Sequence, residues 1–339
     1  MPTDRLPPPL RNGFVSLCLG GFAAAAICIV CGAAEPAAKE GEPEPSPEPK
    51  AITLPTTDGV EIEAWVYGVA PDTKPLATIL LLHDLGGSHE TVEPLAKALQ
   101  AGGCAVIAPD LRGHGKSQIP RLARATGAAG QSSLLKSADF AAMTTTAGGR
   151  LREQSATRGD VEVVRNWVKQ QADRGALDLD KLYVVGSGLG ATVAATWTVL
   201  DAAWPPLTSG PQGGQVRGLV MIDPAFVTKG FSIAKPLAVE PIKSGLPILI
   251  IGGAEGRDAS KVFDQLKRAR PTGWYDSRMY DAEARRNTSP AKDSDASLLF
   301  LKLGGKLTGD SLAVARSADP RQPDPAKLIL AFIQTAAGR

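Results

Sequence analysis

The chain has 339 residues, of which 43% are hydrophobic, so it can bury a sizeable core and wholesale disorder is excluded. Its formal net charge is only +2 and no Lys/Arg cluster stands out, which argues against nucleic acid as a partner. Cys18, Cys28 and Cys31 sit in an N-terminal apolar segment, which leaves Cys104 without a disulfide partner in the rest of the chain. In the run AGGCAVIAP, Cys104 reads as a small buried hydrophobe. Three scattered histidines without Cys or acidic partners at ligand spacing make no metal site, and no cofactor is expected.

In chain order, Arg5 and Arg11 precede an uncharged stretch from Gly13 to Ala34 that ends in small residues. Residues 1–34 therefore read as a signal peptide or a membrane anchor, with a membrane tether possible through residues 13–34. Either reading places the rest outside the cytoplasm: periplasmic, secreted or membrane-anchored. Residues 35–50, EPAAKEGEPEPSPEPK, alternate Pro with Glu, Ala and Ser and read as a solvated linker. The folded domain is expected over 51–339.

Within it, strands alternate with helices, the pattern of an α/β fold with a mostly parallel central sheet and helices on both faces. The segment ITLPTTDGVEIEAWVYG predicts a hairpin around Asp58-Gly59. Residues 77–83 (ATILLLH) form an apolar run suited to a strand buried on both faces. A helix follows over 91–101 and a strand over 104–109. Residues 118–156 form a long Ala/Gly/Ser/Thr-rich insertion, with one short helix near Ala138–Met143. Val161, Val164, Trp167 and Val168 give helical spacing to 157–173. Strands are then expected at 182–186, 216–222, 247–253 and 298–303, and helices at 189–203, 258–269 and 326–334. No large lid fits between Pro224 and Pro247.

Three motifs stand at strand ends: His83-Asp84-Leu85-Gly86-Gly87-Ser88, Asp110-Leu111-Arg112-Gly113-His114-Gly115-Lys116-Ser117 and Gly186-Ser187-Gly188-Leu189-Gly190. In this order they resemble the α/β-hydrolase superfamily, in particular its single-domain bacterial esterases and dienelactone-hydrolase-like members. The resemblance implies a nucleophile on a strained strand-to-helix turn, a His base, an acid that orients it, and backbone donors for an oxyanion.

This chain departs from that pattern. Aligning G-x-S-x-G puts Gly188 at the nucleophile position, with Ser187 one residue early. The base position falls near Thr308, yet no His follows residue 114. The acid position falls near Gly256, flanked by Glu255 and Asp258, which also read as solvated carboxylates at a helix start. The resemblance assigns the oxyanion donors to the backbone N–H groups of Leu189 and Leu85. Asp84 stands where the family often has Gly, and it is expected to point away from the pocket and cap its loop. His83 and His114 read as hydrogen-bonded turn residues.

No catalytic residue is therefore expected. The sequence points to an exported pseudo-hydrolase, a binding or scaffold module whose small ligand or protein partner it does not name. The alternative is a serine-type ester or amide hydrolase with an irregular site around Ser187, for which Lys306 is the nearest candidate base. A third reading is a membrane-tethered structural protein without a pocket function.

Overall fold

The computed structural model describes residues 46–126, 130–144, 159–206, 208, 210, 212–279, 296–316 and 324–337. The N-terminal segment, and with it the signal or tether expected over residues 13–34, lies outside the described residues, as does the 145–158 part of the insertion. No helix among the described residues is long and apolar enough to cross a membrane.

The hairpin forms as its turn signal predicts. Strand β1 (Lys50–Pro55) pairs antiparallel with β2 (Glu61–Tyr67), and the chain reverses through Gly59 at φ +82°. Then follow β3 (Thr78–Leu82), α1 (His89–Ala101) and β4 (Ala105–Pro109). Ser88 caps α1 and exchanges hydrogen bonds with Thr91 in a capping box, while Val92, Leu95, Ala96 and Leu99 make its buried stripe.

The insertion carries α2 (Pro120–Thr126), α3 (Gln131–Leu134) and α4 (Ser137–Thr144), where the sequence suggested only the last of these. Helix α5 (Asp160–Asp173) leads to β5 (Leu182–Ser187), α6 (Leu189–Ala202) and β6 (Val216–Ile222). A small hairpin of β7 (Val227–Thr228) and β8 (Phe231–Ser232) and the one-turn α7 (Ala234–Leu237) occupy the connection after β6. The remaining elements are β9 (Ile248–Gly252), α8 (Arg257–Ala269), β10 (Trp274–Asp276), β11 (Leu298–Lys302), α9 (Gly309–Ala313) and α10 (Pro325–Ala337).

Nine strands make one sheet in the order β1-β2-β4-β3-β5-β6-β9-β11-β10, parallel from β4 onward. Alternate residues of each central strand enter opposite cores. Leu80, Leu82, Val184, Met221 and Ile250 pack with α5, α6 and α8, whereas Ile79, Leu81, Val185, Val220 and Ile251 pack with α1, α9 and α10. That two-sided burial is why these strands read as unbroken apolar runs. Strand β10 was not expected: three residues after a glycine carry no periodicity, and only pairing with β11 reveals it. Cys104 is fully buried, and burial pushes its thiol up to about 11.

The Asp110–Ser117 motif works as a structural clamp. The Asp110 carboxylate is fully buried and accepts from the backbone N–H groups of His89 (2.7 Å) and Lys116 (2.8 Å). Ser117 Oγ accepts from Glu63 N–H on the hairpin at 2.9 Å. Arg112 donates through Nε and Nη2 to Asp160 at 2.6–3.0 Å and through Nη1 to Asp58 at 2.6 Å. His83 and His114 are turn residues, as expected. His83 accepts from Leu111 N–H through Nε2 (3.0 Å) and donates through Nδ1 to Asp84 O (2.7 Å). His114 donates to Arg112 O at 3.1 Å, and its buried Nε2 has no partner among the described residues.

Two outcomes test this clamp. Arg112→Met strands the buried Asp160 carboxylate and should cost about 3–5 kcal/mol of unfolding free energy, whereas Asp58→Asn, at a half-exposed partner, should cost at most about 1 kcal/mol. Urea titration of each variant gives both values. Burial, the largest effect on His114, holds its pKa down at about 3, so the stability linked to its neutral form is fully present above its unfolded value of about 6.5 and is lost progressively as pH falls toward 3. The urea midpoint should therefore drop between about pH 7.5 and about pH 5, and drop less in His114→Gln.

Candidate functional site

The site lies where β5 meets α6. Ser187 ends the strand and Leu189 starts the helix, so Gly188 alone makes the turn, at φ +49° and ψ −113°. A side chain there would be strained whatever the space around it. There is also no space, because a Cβ on Gly188 would land on the carboxylate of Asp84. Gly186 and Gly190 serve a different need: a Cβ on Gly190 would press on the carbonyl oxygens of Leu82 and His83, so the helix can begin this close to β3 only with glycine.

Asp84 does not point away. Its Oδ1 accepts from Leu85 N–H at 2.6 Å and from Leu189 N–H at 2.7 Å. The two backbone donors assigned by resemblance to an oxyanion thus converge on one acceptor, the chain's own carboxylate. The expectation failed because it weighed only the loop of Asp84. The amides of Leu85 and Leu189 need an acceptor, and the short Asp side chain supplies one from the adjacent strand end. Burial raises the Asp84 carboxyl above its usual range; the Leu189 and Leu85 donors work against that rise, and the nearby charge of Asp310 adds to it.

Ser187 is 1% exposed and faces a different group. Its hydroxyl donates to Asp310 Oδ1, which also accepts from Asp84 N–H at 2.8 Å. Asp310 Oδ2 accepts from Thr91 Oγ at 2.6 Å. One carboxylate at the start of α9 therefore joins the β3–α1 loop, the first turn of α1 and the end of β5. Sequence reading passed over Asp310, although it is the only acidic residue in the loop from Lys302 to Asp310.

The remaining expected positions are dispersed. Thr308 is exposed and precedes α9, while its neighbour Gly309 faces the site, since a Cβ there would meet Asp84 Oδ2. The base position is thus better placed at Gly309. Glu255 is exposed and lies 3.9 Å from Lys306, which is itself exposed and paired away from Ser187. Asp258 accepts from Phe226 N–H at 3.1 Å and pairs with Lys261 at 2.9 Å. The carboxylate beside Gly256 is Asp223, which a Cβ on Gly256 would approach to 2.9 Å. Asp223 adopts φ +43° after β6 and accepts from Gly309 N–H at 3.0 Å. Burial raises its carboxyl above the usual range. Among the described residues no group of three or more His, Cys, Asp or Glu is arranged to hold a metal ion.

The collision of Gly188 with Asp84 is open to a double-mutant cycle. Gly188→Ser should cost substantially more in the native background than in Asp84→Gly, with a coupling of at least about 1 kcal/mol by urea unfolding. Equal costs in the two backgrounds would contradict the placement of Asp84.

Comparison with known proteins agrees with this architecture. The model of the Alpha/beta hydrolase family matches residues 79–335. No curated protein matches the chain. Among solved structures, a monoclinic form of a Pyrobaculum calidifontis esterase is similar at TM-score 0.51 and 16% identity, covering 86% of each chain. A second structure of a hyperthermophilic esterase from that archaeon gives TM-score 0.50 and 17% identity, covering 87% of this chain and 85% of its own. A protein of Klebsiella pneumoniae subsp. pneumoniae, provisionally assigned as a dienelactone hydrolase, gives TM-score 0.50 and 16% identity, covering 85% of this chain and 98% of its own. At such identities the likeness is one of fold. With its family match spanning β3 to α10 and its strand-to-helix turn at Gly188, the chain belongs to the alpha/beta hydrolase family.

Proposed function

We propose that this protein is a non-catalytic member of the family, an exported binding or scaffold module built on the hydrolase fold. The observation that carries the reading is the Asp84 carboxylate on the N–H groups of Leu85 and Leu189. Acyl transfer needs such donors free at the moment negative charge develops, and losing one of them costs about 10²–10³ in rate. Here both are engaged, and the group engaging them is an acid that repels a developing oxyanion when ionised.

The nucleophile position supports the same reading. Gly188 offers no side chain, and the neighbouring Ser187 hydroxyl is buried and turned to Asp310. Export rests on the basic residues and apolar stretch before residue 35.

One observation favours a second reading, an ester or amide hydrolase with an irregular site. The Ser187 hydroxyl donates to a carboxylate, and a hydroxyl so paired can pass its proton to that base. A carboxylate is a weak base for an alcohol, which ranks this reading below the first.

Intact-mass analysis after incubation with a broad fluorophosphonate probe separates the two, with Ser187→Ala as control. The proposal expects no adduct on the folded protein. A single adduct that disappears in Ser187→Ala would establish Ser187 as an activated nucleophile and overturn it.

A further inference from the structure

A second built site lies at the first turn of α1, beside the hairpin and apart from the Gly188 turn. His89 opens the helix, and its Nδ1–H donates to the buried Asp110 Oδ1 at 3.0 Å. That bond holds a proton on Nδ1, so that in the neutral ring Nε2 carries the lone pair. Trp65 of β2 lies flat against the imidazole, with ring centroids 3.2 Å apart and planes within 2°. The residue is only 6% exposed, yet Nε2 makes no hydrogen bond to the described residues and is not sealed from solvent.

It opens onto a cleft of about 440 Å³ lined by Pro49, Trp65, Tyr67, His89, Glu90 and Glu93. Tyr67 repeats the pattern of His89. It is 1% exposed, and what acts on its hydroxyl is burial and the charges of Glu93 and Asp110, with no hydrogen bond to the described residues. Two polar atoms on deeply buried side chains thus meet the cleft without protein partners, and two carboxylates stand on its helical wall.

The chemistry of that lining selects the ligand. His89 Nε2 and both glutamates are acceptors, and Tyr67 remains a neutral phenol, because burial first, then Glu93 and Asp110, push it up to about 12. The formal charge of the lining is negative. The chain's own cations already gather at its margin: Lys97 pairs with Glu93 at 2.8 Å, and the Lys116 ammonium sits 4.7 Å from the Trp65 ring centre. From this arrangement we propose that the cleft between β2 and α1 binds a small organic cation bearing N–H donors, an alkylammonium or alkylguanidinium group, with His89 Nε2, Tyr67 Oη and the carboxylates of Glu90 and Glu93 as its acceptors.

The chain's three histidines make the test specific, because each carries one Cε1–H to follow by proton NMR and His83 and His114 serve as internal controls. Butylammonium chloride and butylguanidinium chloride are titrated into the full-length protein, with sodium butyrate and sodium chloride at matched ionic strength as controls. His89 is assigned by its absence in His89→Gln. The expected result is a saturable shift of the His89 resonance with one or both cations, with His83 and His114 unmoved. Glu90→Gln/Glu93→Gln should weaken binding about tenfold or more while leaving the His83 and His114 positions, and hence the fold, unchanged. The proposal is overturned by a shift that does not saturate, by an equal shift with sodium chloride or butyrate, by movement of all three histidines together, or by unchanged affinity in the double glutamine variant.

Discussion

The N–H groups of Leu85, in the loop after β3, and of Leu189, at the start of α6, point to the same place, and each requires an acceptor. A helix start cannot supply one from within, since its first amides have no intrahelical partner. In this protein Asp84 answers both at once through Oδ1, at 2.6 and 2.7 Å. Much else follows from that choice. Residue 188 must be glycine because the carboxylate fills the space of its Cβ, and residue 309 must be glycine for the same reason. Asp310 then locks the arrangement by holding the Asp84 backbone N–H, the Ser187 hydroxyl and the Thr91 hydroxyl. The turn is best described as a closed polar junction whose members specify one another.

The second junction is built around Asp110. This buried acid joins the loop of the Arg-Gly-His-Gly run to the first residue of α1, and Arg112 extends the connection to Asp58 on the hairpin and Asp160 on α5. Charged groups buried this deeply are tolerated because each finds several partners, and that is why a motif so specific in sequence can be explained by architecture alone. The same acid orients His89, so a structural carboxylate also prepares an imidazole that faces a cleft.

The fold was legible in the sequence because its main elements carry strong periodicity. The apolar runs at 77–83, 182–186 and 247–253 each became a central strand, and the Val161–Val168 spacing became α5. The hairpin was legible through Asp58-Gly59. What stayed hidden had no local signature. Strand β10 exists only through its neighbour, and helices α2 and α3 are short pieces in a small-residue run. At the site, the positions Gly188, Leu85 and Leu189 came from the resemblance of the three strand-end motifs to the family. The direction of Asp84 was not, since it depends on a contact between residues 105 positions apart. Asp310 and Ser187 are 123 positions apart, and Asp223 and Gly309 are 86 apart. Acceptors can be sought from sequence, but the donors that reach them over such separations come only with the fold.

The Arg112–Asp160 ion pair has a consequence for how this chain can vary. The two residues flank the long insertion, and their bond ties the loop before it to the start of α5 after it. Phe140 and Met143 fix it once more at its middle by entering the core. The chain between these fixed points is therefore tethered at both ends and at its middle, and lengthening a tethered loop costs only about 0.6 kcal/mol per doubling. Sequence can be added or exchanged there while the sheet, the Gly188 turn and the Asp110 junction keep their geometry. The ion pair acts as a hem, and the fabric beyond it is free to acquire new surfaces for recognition.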